Sequence, residues 1–183
     1  TGRNAEAAAK VVEAASALGP TPLFLQSDAA DVAALKSAIA TTAERFGDIG
    51  VLVNNVANDQ RHNLADVTQE DFDWRVAINL RPAFFAAQSV VEGMKRLGGG
   101  AIVNLGSISW MIKGAGYPVY ATCKSATVGL SRSLARDLGK LNIRVNTLSP
   151  GWIMTEKQLT MWVDEAGEKA MDENQCLPGR IVG

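Results

Sequence analysis

Histidine and cysteine are scarce in this 183-residue chain, and their scarcity removes whole classes of function. A single histidine, His62, cannot build a multi-histidine metal site, so no metal is expected. The two cysteines, Cys123 and Cys176, lie far apart and form no C-x-x-C. They provide no disulfide framework, which makes a reducing, cytoplasmic setting the expectation. Long apolar runs are missing as well: none approaches the ~20 residues of a membrane span, and no signal-peptide pattern opens the chain. Excess charge is also absent. Eighteen basic and 19 acidic residues give a formal net charge of −1, and so no field that would gather nucleic acid or an anionic membrane. What remains is an ordinary soluble-domain composition, 47% hydrophobic and 20% charged, long enough for one domain, residues 1–183, with a real core.

The order of elements carries more information. Residues 4–18 (NAEAAAKVVEAASAL) read as a helix stopped by Gly19-Pro20. PLFLQ (22–26) reads as a short buried strand. Asp31 is placed to cap a helix that runs to Phe46 and stops at Gly47. VLVNN (51–55) is an apolar strand that breaks into polar residues, followed by a loop over 56–67. A helix opens at Thr68–Asp71, with acids in its first turn, and continues through Pro82 to Leu97, where Gly98-Gly99-Gly100 ends it. AIVNLGS (101–107) is a second buried strand, 119–139 a long helix, and IRVNTLS (143–149) a third strand stopped by Pro150-Gly151. Buried strands alternating with helices predict an α/β fold: a Rossmann-like, doubly wound parallel sheet with helices on both faces. Such sheets bind ligands beyond the carboxyl ends of their strands, where Asn54-Asn55, Ser107 and Pro150-Gly151 fall. A G-x-G-x-x-G turn between a strand and a helix, the usual pyrophosphate cradle, is not found. The chain opens on Thr1-Gly2-Arg3-Asn4 and closes on Ile181-Val182-Gly183. The expectation is therefore a single incomplete domain without its first strand, glycine-rich loop and C-terminal strand.

Tyr120 and Lys124 are four residues apart on the long helix and share a face. A free tyrosine, with a pKa of about 10, is a poor base near neutrality. An ammonium group close by favours the phenolate and is expected to lower that value. A phenol tuned in this way can exchange a proton with an alcohol or carbonyl oxygen. Ser107, at the end of its strand, is placed to hydrogen-bond the same oxygen, and Asn79 to complete a proton path through water. Alone, Tyr-x-x-x-Lys is a common surface pair, Ser107 a turn residue and Asn79 a polar helix residue; their order on a βα framework is what joins them.

On these motifs the sequence resembles the short-chain dehydrogenase/reductase family along essentially its whole length. Asn54-Asn55-Val56-Ala57 resembles that family's N-N-A-G, with Val56 and Ala57 as departures; a methyl at Ala57 crowds backbone that runs close to a cofactor. YATCK, 120–124, matches its Y-x-x-x-K at the expected distance from Ser107, and NIRVNTLSPGWIMT, 142–155, resembles the strand and Pro-Gly turn beside the nicotinamide. The resemblance implies that Tyr120 is the general acid/base, that Lys124 lowers its pKa and binds the nicotinamide ribose, that Ser107 orients the substrate oxygen and that Asn79 supports a water relay. It also places Asp28 and Ala29 at the adenine, Asn55 along the cofactor, and Ile153 and Thr155 at the carboxamide. Arg3 follows Gly2 where an acid would select NAD, and its forked guanidinium favours NADP, with NAD the alternative.

Four segments, 58–68, 94–110, the stretch after the Pro-Gly turn and 174–183, resemble the bacterial sugar 1-dehydrogenases of that family. That likeness implies oxidation of an aldose at C1 to a lactone. Asn58, Asp59, Arg61 and His62 are the expected polar contacts to the sugar, with Trp110 or Trp152 stacking on its ring; a salt-bridged structural loop is the plain alternative for Asp59, Arg61 and His62. Ala86, Ala87, Ala126 and Gly129 are small outer positions suited to packing between the subunits of a homodimer or homotetramer, or else to the subunit's own core. Competing readings are a 3-oxoacyl-carrier-protein reductase-like carbonyl reductase and a non-catalytic or inactive fragment of the fold.

Overall fold

The computed structural model describes residues 1–174 and Gly179. It comprises two compact units, Thr1–Leu148 and Ser149–Gly183. In the first, three strands, β1 (Val51–Asn54), β2 (Gly100–Leu105) and β3 (Ile143–Leu148), form a parallel sheet in the order β1-β2-β3. The unit also holds helices α1 (Ala5–Ser16), α2 (Val32–Phe46), α3 (Gln69–Asn79), α4 (Arg81–Arg96) and α5 (Pro118–Leu138). The parallel α/β arrangement read from the sequence is what the chain adopts.

Paired residues share a face of a pleated sheet. Leu52, Ile102 and Val145 line up on one face, with Asn54, Asn104 and Thr147 one step further along. That face is the core: Ile102, Ile143 and Val145 pack on Ala87, Val90 and Met94 of α4, bordered by Leu134, Ala135 and Leu138 of α5. Met94 and Ile102 are wholly buried, each worth about 1.5–3 kcal/mol of transfer free energy. Two right-handed crossovers that advance in the same direction put both connecting helices on the same side. The opposite face, where helices are also expected, is open among the described residues. Val51, Val53 and Leu148 lie there, 63%, 57% and 57% exposed, and α1 buries none of its residues.

Several elements differ from their sequence reading for local reasons. PLFLQ is not a strand; its only ladder contact is a bridge from Gln26 to Gly2, and Pro22 has no N–H to give. The helix drawn through Pro82 is two helices, parted at Leu80 (φ −131°, ψ −49°) because the proline ring and missing N–H break the ladder one turn earlier. A short 3₁₀ turn, Leu64–Asp66, interrupts the loop over 56–67. Ala86 and Ala87 are buried inside the chain at 2% and 1% exposure, so they are core rather than subunit surface; Gly129 is exposed and Ala126 half-buried.

The glycine run before β2 is a clip. Gly98 and Gly99 have φ of +78° and +152°, and a Cβ on Gly99 would fall 2.6 Å from the Asn142 carbonyl oxygen. Gly100 N–H donates to that carbonyl and Asn142 Nδ2 to the Gly98 carbonyl. The start of β2 is thereby locked to the start of β3, in register Gly100 with Ile143.

The second unit holds α6 (Glu156–Met161) and α7 (Glu165–Asn174). Thr155 Oγ1 caps α6 by accepting from Gln158 N–H, and Asp164 Oδ1 accepts from Gly167 N–H in the first turn of α7. Cys176 and most of the segment 174–183 lie outside the described residues.

Candidate active site

All three strands run the same way, so Asn54, Leu105 and Leu148 end at one edge. Ser107 follows β2 there. Its Oγ accepts from the Ser109 N–H at 3.1 Å, which orients the hydroxyl, and that hydroxyl is close enough to the Tyr120 phenol to favour its ionised form. Lys124, one turn along α5, is 3% exposed. Its Nζ donates to the Leu105 carbonyl at 2.6 Å and lies 5.7 Å from the centre of the Tyr120 ring. The structure thus brings Ser107, Tyr120 and Lys124 together.

The electrostatics differ from the sequence expectation. Burial raises the Tyr120 phenol above its ordinary value; the Ser107 hydroxyl and the Arg61 guanidinium act against this, and the Asp59 carboxylate with it. Lys124's own pKa is lowered by burial, and its ammonium is turned onto a backbone carbonyl. In the chain by itself, burial of the phenol outweighs the lowering expected for Tyr120.

Asn79 is buried at the end of α3 and its amide is engaged on both sides. Oδ1 accepts from the Asn58 N–H at 2.8 Å and Nδ2 donates to the Arg75 carbonyl at 3.0 Å. It anchors a loop as well as facing the cleft described below. The loop, 58–62, has further ties. Arg75, paired with Asp71 at 2.8 Å, donates through Nη1 to the Gln60 carbonyl. Arg61 stacks over the Tyr117 ring at 4.2 Å, and Tyr117 meets Tyr120 edge-on at 6.0 Å. Asp59 and Arg61 are within electrostatic reach of the phenol. His62, expected at the substrate, has both ring nitrogens engaged within the protein: Nδ1 is 2.9 Å from the Gln60 carbonyl and Nε2 accepts from the Val119 N–H at 3.2 Å. Trp110 lines an open groove with Ser109, Lys113, Ala121, Thr122, Ser125 and Ala126.

Two clefts in the first unit hold most of the residues expected to meet a cofactor. One, about 80 Å³, is lined by Arg3, Ser27, Asp28, Ala29, Ala57 and Asn58; Ser27 Oγ is buried there without a partner and Arg3 lies 3.9 Å from Asp28. The other, about 230 Å³, is lined by Ala29, Asn55, Asn79 and Lys124 among others. Thr1, Ala29, Val56 and Ile78 border both. A guanidinium and an orphaned hydroxyl at one end, and a buried ammonium with carboxamides at the other, fit a nicotinamide dinucleotide with its phosphates and ribose hydroxyls. Ile153, Thr155 and Trp152 belong to the second unit. There Thr155 caps α6 and Trp152 Nε1 donates to Gln158 at 2.8 Å.

One network was missed in the sequence. Asn54 Nδ2 donates to Asn104 Oδ1, Asn104 Nδ2 to Ser131 Oγ, Thr147 Oγ1 to Ser131 Oγ, and Ser131 Oγ to the Thr127 carbonyl, all at 2.7–2.8 Å. It ties the ends of three strands to the active-site helix. Polar residues at matched depth in three separate apolar strands are the only sign of it in the sequence.

A parallel sheet whose carboxyl edge holds a Ser–Tyr–Lys group, with two clefts that adjoin it, defines a class of α/β oxidoreductase folds. Residues 1–181 match the family model described as enoyl-(acyl carrier protein) reductase, and the chain belongs to the short-chain dehydrogenase/reductase family. It is 42% identical over 168 residues to a probable galactose dehydrogenase of Rhizobium meliloti, covering 92% of this chain and 66% of that one. It is 42% identical over 174 residues to a D-xylose 1-dehydrogenase of Caulobacter vibrioides, covering 94% and 68%. Among solved structures, a short-chain dehydrogenase from Burkholderia cenocepacia in complex with NADP superposes with TM-score 0.88 at 32% identity, covering all of this chain and 73% of that one. A 7α-hydroxysteroid dehydrogenase complexed with NADH superposes with TM-score 0.92 at 28% identity, over 98% and 70%. The chain thus spans about two thirds of the length of these curated relatives.

Proposed function

We propose that the protein of this chain is a nicotinamide-dependent dehydrogenase that oxidises a free sugar at C1 to a lactone, in a homo-oligomer and in the cytoplasm. The observation that carries it is the Ser107–Tyr120–Lys124 group on the carboxyl edge of the sheet, in a chain 42% identical to galactose and D-xylose dehydrogenases. Tyr120 exchanges the proton of the substrate oxygen. Ser107, its hydroxyl already oriented by the Ser109 amide, holds that oxygen. Lys124 binds ribose hydroxyls and keeps a positive charge near the phenol once its carbonyl partner is shared. Asn79 keeps the loop over 58–62 at the site, and Asn58 and Asp59 are the loop groups offered to sugar hydroxyls. Arg3, Ser27, Asp28 and Ala29 receive the adenosine end and Asn55 the middle of the cofactor; Ile153 and Thr155 are assigned to the carboxamide, and Trp152 to a ring face of the sugar. Arg3 favours NADP over NAD. The chemistry that a bound nicotinamide supplies is hydride exchange with the carbinol carbon.

The description of the matched family model favours a second reading, reduction of a carbonyl on an acyl thioester. Steady-state assays with D-xylose and D-galactose against NADP and NAD, beside a 3-oxoacyl thioester against NADPH, separate the two. Aldose turnover with a lactone product is expected, and Tyr120→Phe should lower kcat by about 10²–10⁴-fold. Turnover of the thioester alone overturns the sugar assignment.

A further inference from the structure

We propose that His62 is a positioning residue for the catalytic tyrosine: its ring caps α5 from a distant loop. This rests on the assignment of Tyr120 as the proton-transfer group.

A helix leaves its first amides without intrahelical partners, and α5 has no side chain at its own N-cap to receive them, Tyr117 making no such bond. Pro118 has no N–H. Val119 is therefore the first amide of α5 that needs an acceptor, and it finds one 57 residues away in sequence, His62 Nε2 at 3.2 Å. An amide only donates, so Nε2 must be the unprotonated nitrogen. The proton then resides on Nδ1, which lies 2.9 Å from the Gln60 carbonyl, an acceptor only. The two contacts together specify one neutral tautomer. The His62 backbone adds a third tie, its N–H donating to the Gly116 carbonyl at 2.8 Å.

The residue after Val119 is Tyr120. The loop that carries His62 is held to α3 by the Asn58–Asn79 and Gln60–Arg75 hydrogen bonds. His62 therefore joins the first turn of α5 to the helix that supplies Asn79. A proton on Nε2 would set two N–H donors against each other and place a cation at the positive end of the α5 dipole. The charged or titratable groups around the ring are Asp59 and Arg61 on its own loop, Arg75 with Asp71 on α3, and Tyr117 and Tyr120 on α5. Asp71 is committed to Arg75, and Arg61 is a donor only, so neither can substitute for the cap.

The test uses the full chain, with D-xylose, D-galactose and NADP as probes. Imidazole nitrogen NMR near neutrality should show Nδ1 protonated and Nε2 bare; the opposite tautomer overturns the proposal. His62→Ala should speed amide exchange at Val119 by about fivefold and lower kcat by about tenfold with less change in KM. His62→Gln, whose carboxamide oxygen reaches the Nε2 position, should restore both. Unchanged Val119 exchange in His62→Ala, or a His62→Gln variant that restores neither the exchange protection nor kcat, overturns the proposal. If no substrate is turned over at any pH, the functional assignment fails; the tautomer and the Val119 exchange in His62→Gln still decide whether the cap exists.

Discussion

At the scale of single residues, Lys124 shows function set against stability. An ammonium group 3% exposed is held by a carbonyl oxygen and has its pKa lowered by burial. The unfolded chain therefore binds that proton more tightly than the folded one, and wild-type stability rises with pH in the window below the ordinary lysine value of about 10.5. Tyr120 has the opposite sign. Its pKa is raised, so its contribution is complete below about 10 and is lost as pH climbs further. Lys124→Met removes the first dependence and keeps the second. Urea unfolding from pH 7.5 towards 10 should show wild type gaining on Lys124→Met as pH rises; a constant difference would show that the charge is not buried in solution. Tyr120, Lys124 and Ser107 were legible because a helical i, i+4 spacing and a strand end are local facts. The direction of the Tyr120 shift was not, because it depends on how deeply the folded chain buries the phenol. The tie of His62 to α5 was not legible either: a lone histidine in a polar loop gives no sign that an amide 57 residues on needs an acceptor.

At the scale of elements, caps and glycines were readable and tertiary partners were not. Asp31 does cap α2, accepting from Ala33 and Ala34, and the glycine run does end α4. PLFLQ has a strand's composition but no neighbouring ladder, and Pro82 parts a helix that the apolar pattern joined. The clip between Gly99 and Asn142 makes a sharp prediction. Gly99→Ala forces a Cβ into a region of φ open to glycine and against a carbonyl at 2.6 Å, which should cost about 1–3 kcal/mol in urea unfolding. Gly19→Ala, with open space around it, should cost far less. Equal losses would mean that the β2–β3 junction relaxes freely.

At the scale of the whole molecule, the sheet keeps one covered face and one open one. Val51, Val53 and Leu148 on the open face are more than half exposed, beside Val103 and Leu105. Contiguous apolar surface of that kind recruits other apolar surface. The 183-residue chain should bind a hydrophobic dye, and Val51→Thr with Val53→Thr should weaken that binding without moving the Tyr120 environment; dye binding that ignores both changes would locate the apolar surface elsewhere. The expectation of helices on both faces came from strands that read as continuously apolar. That pattern records how a sheet is meant to be buried, whereas the direction of the crossovers decides which side these particular helices take.

The loop over 58–62 has a consequence for how such an enzyme can change. On the proposed function it offers Asn58 and Asp59 to substrate, while Asn79, Arg75 and Val119 grip its backbone and its histidine. Selectivity and rate are therefore inherited together. A loop transplanted from a relative to alter the accepted sugar arrives as a bare guest unless the three host residues that hold it come too, and directed evolution of this region should recover gains in pairs, one change in the loop and one in α3 or the first turn of α5.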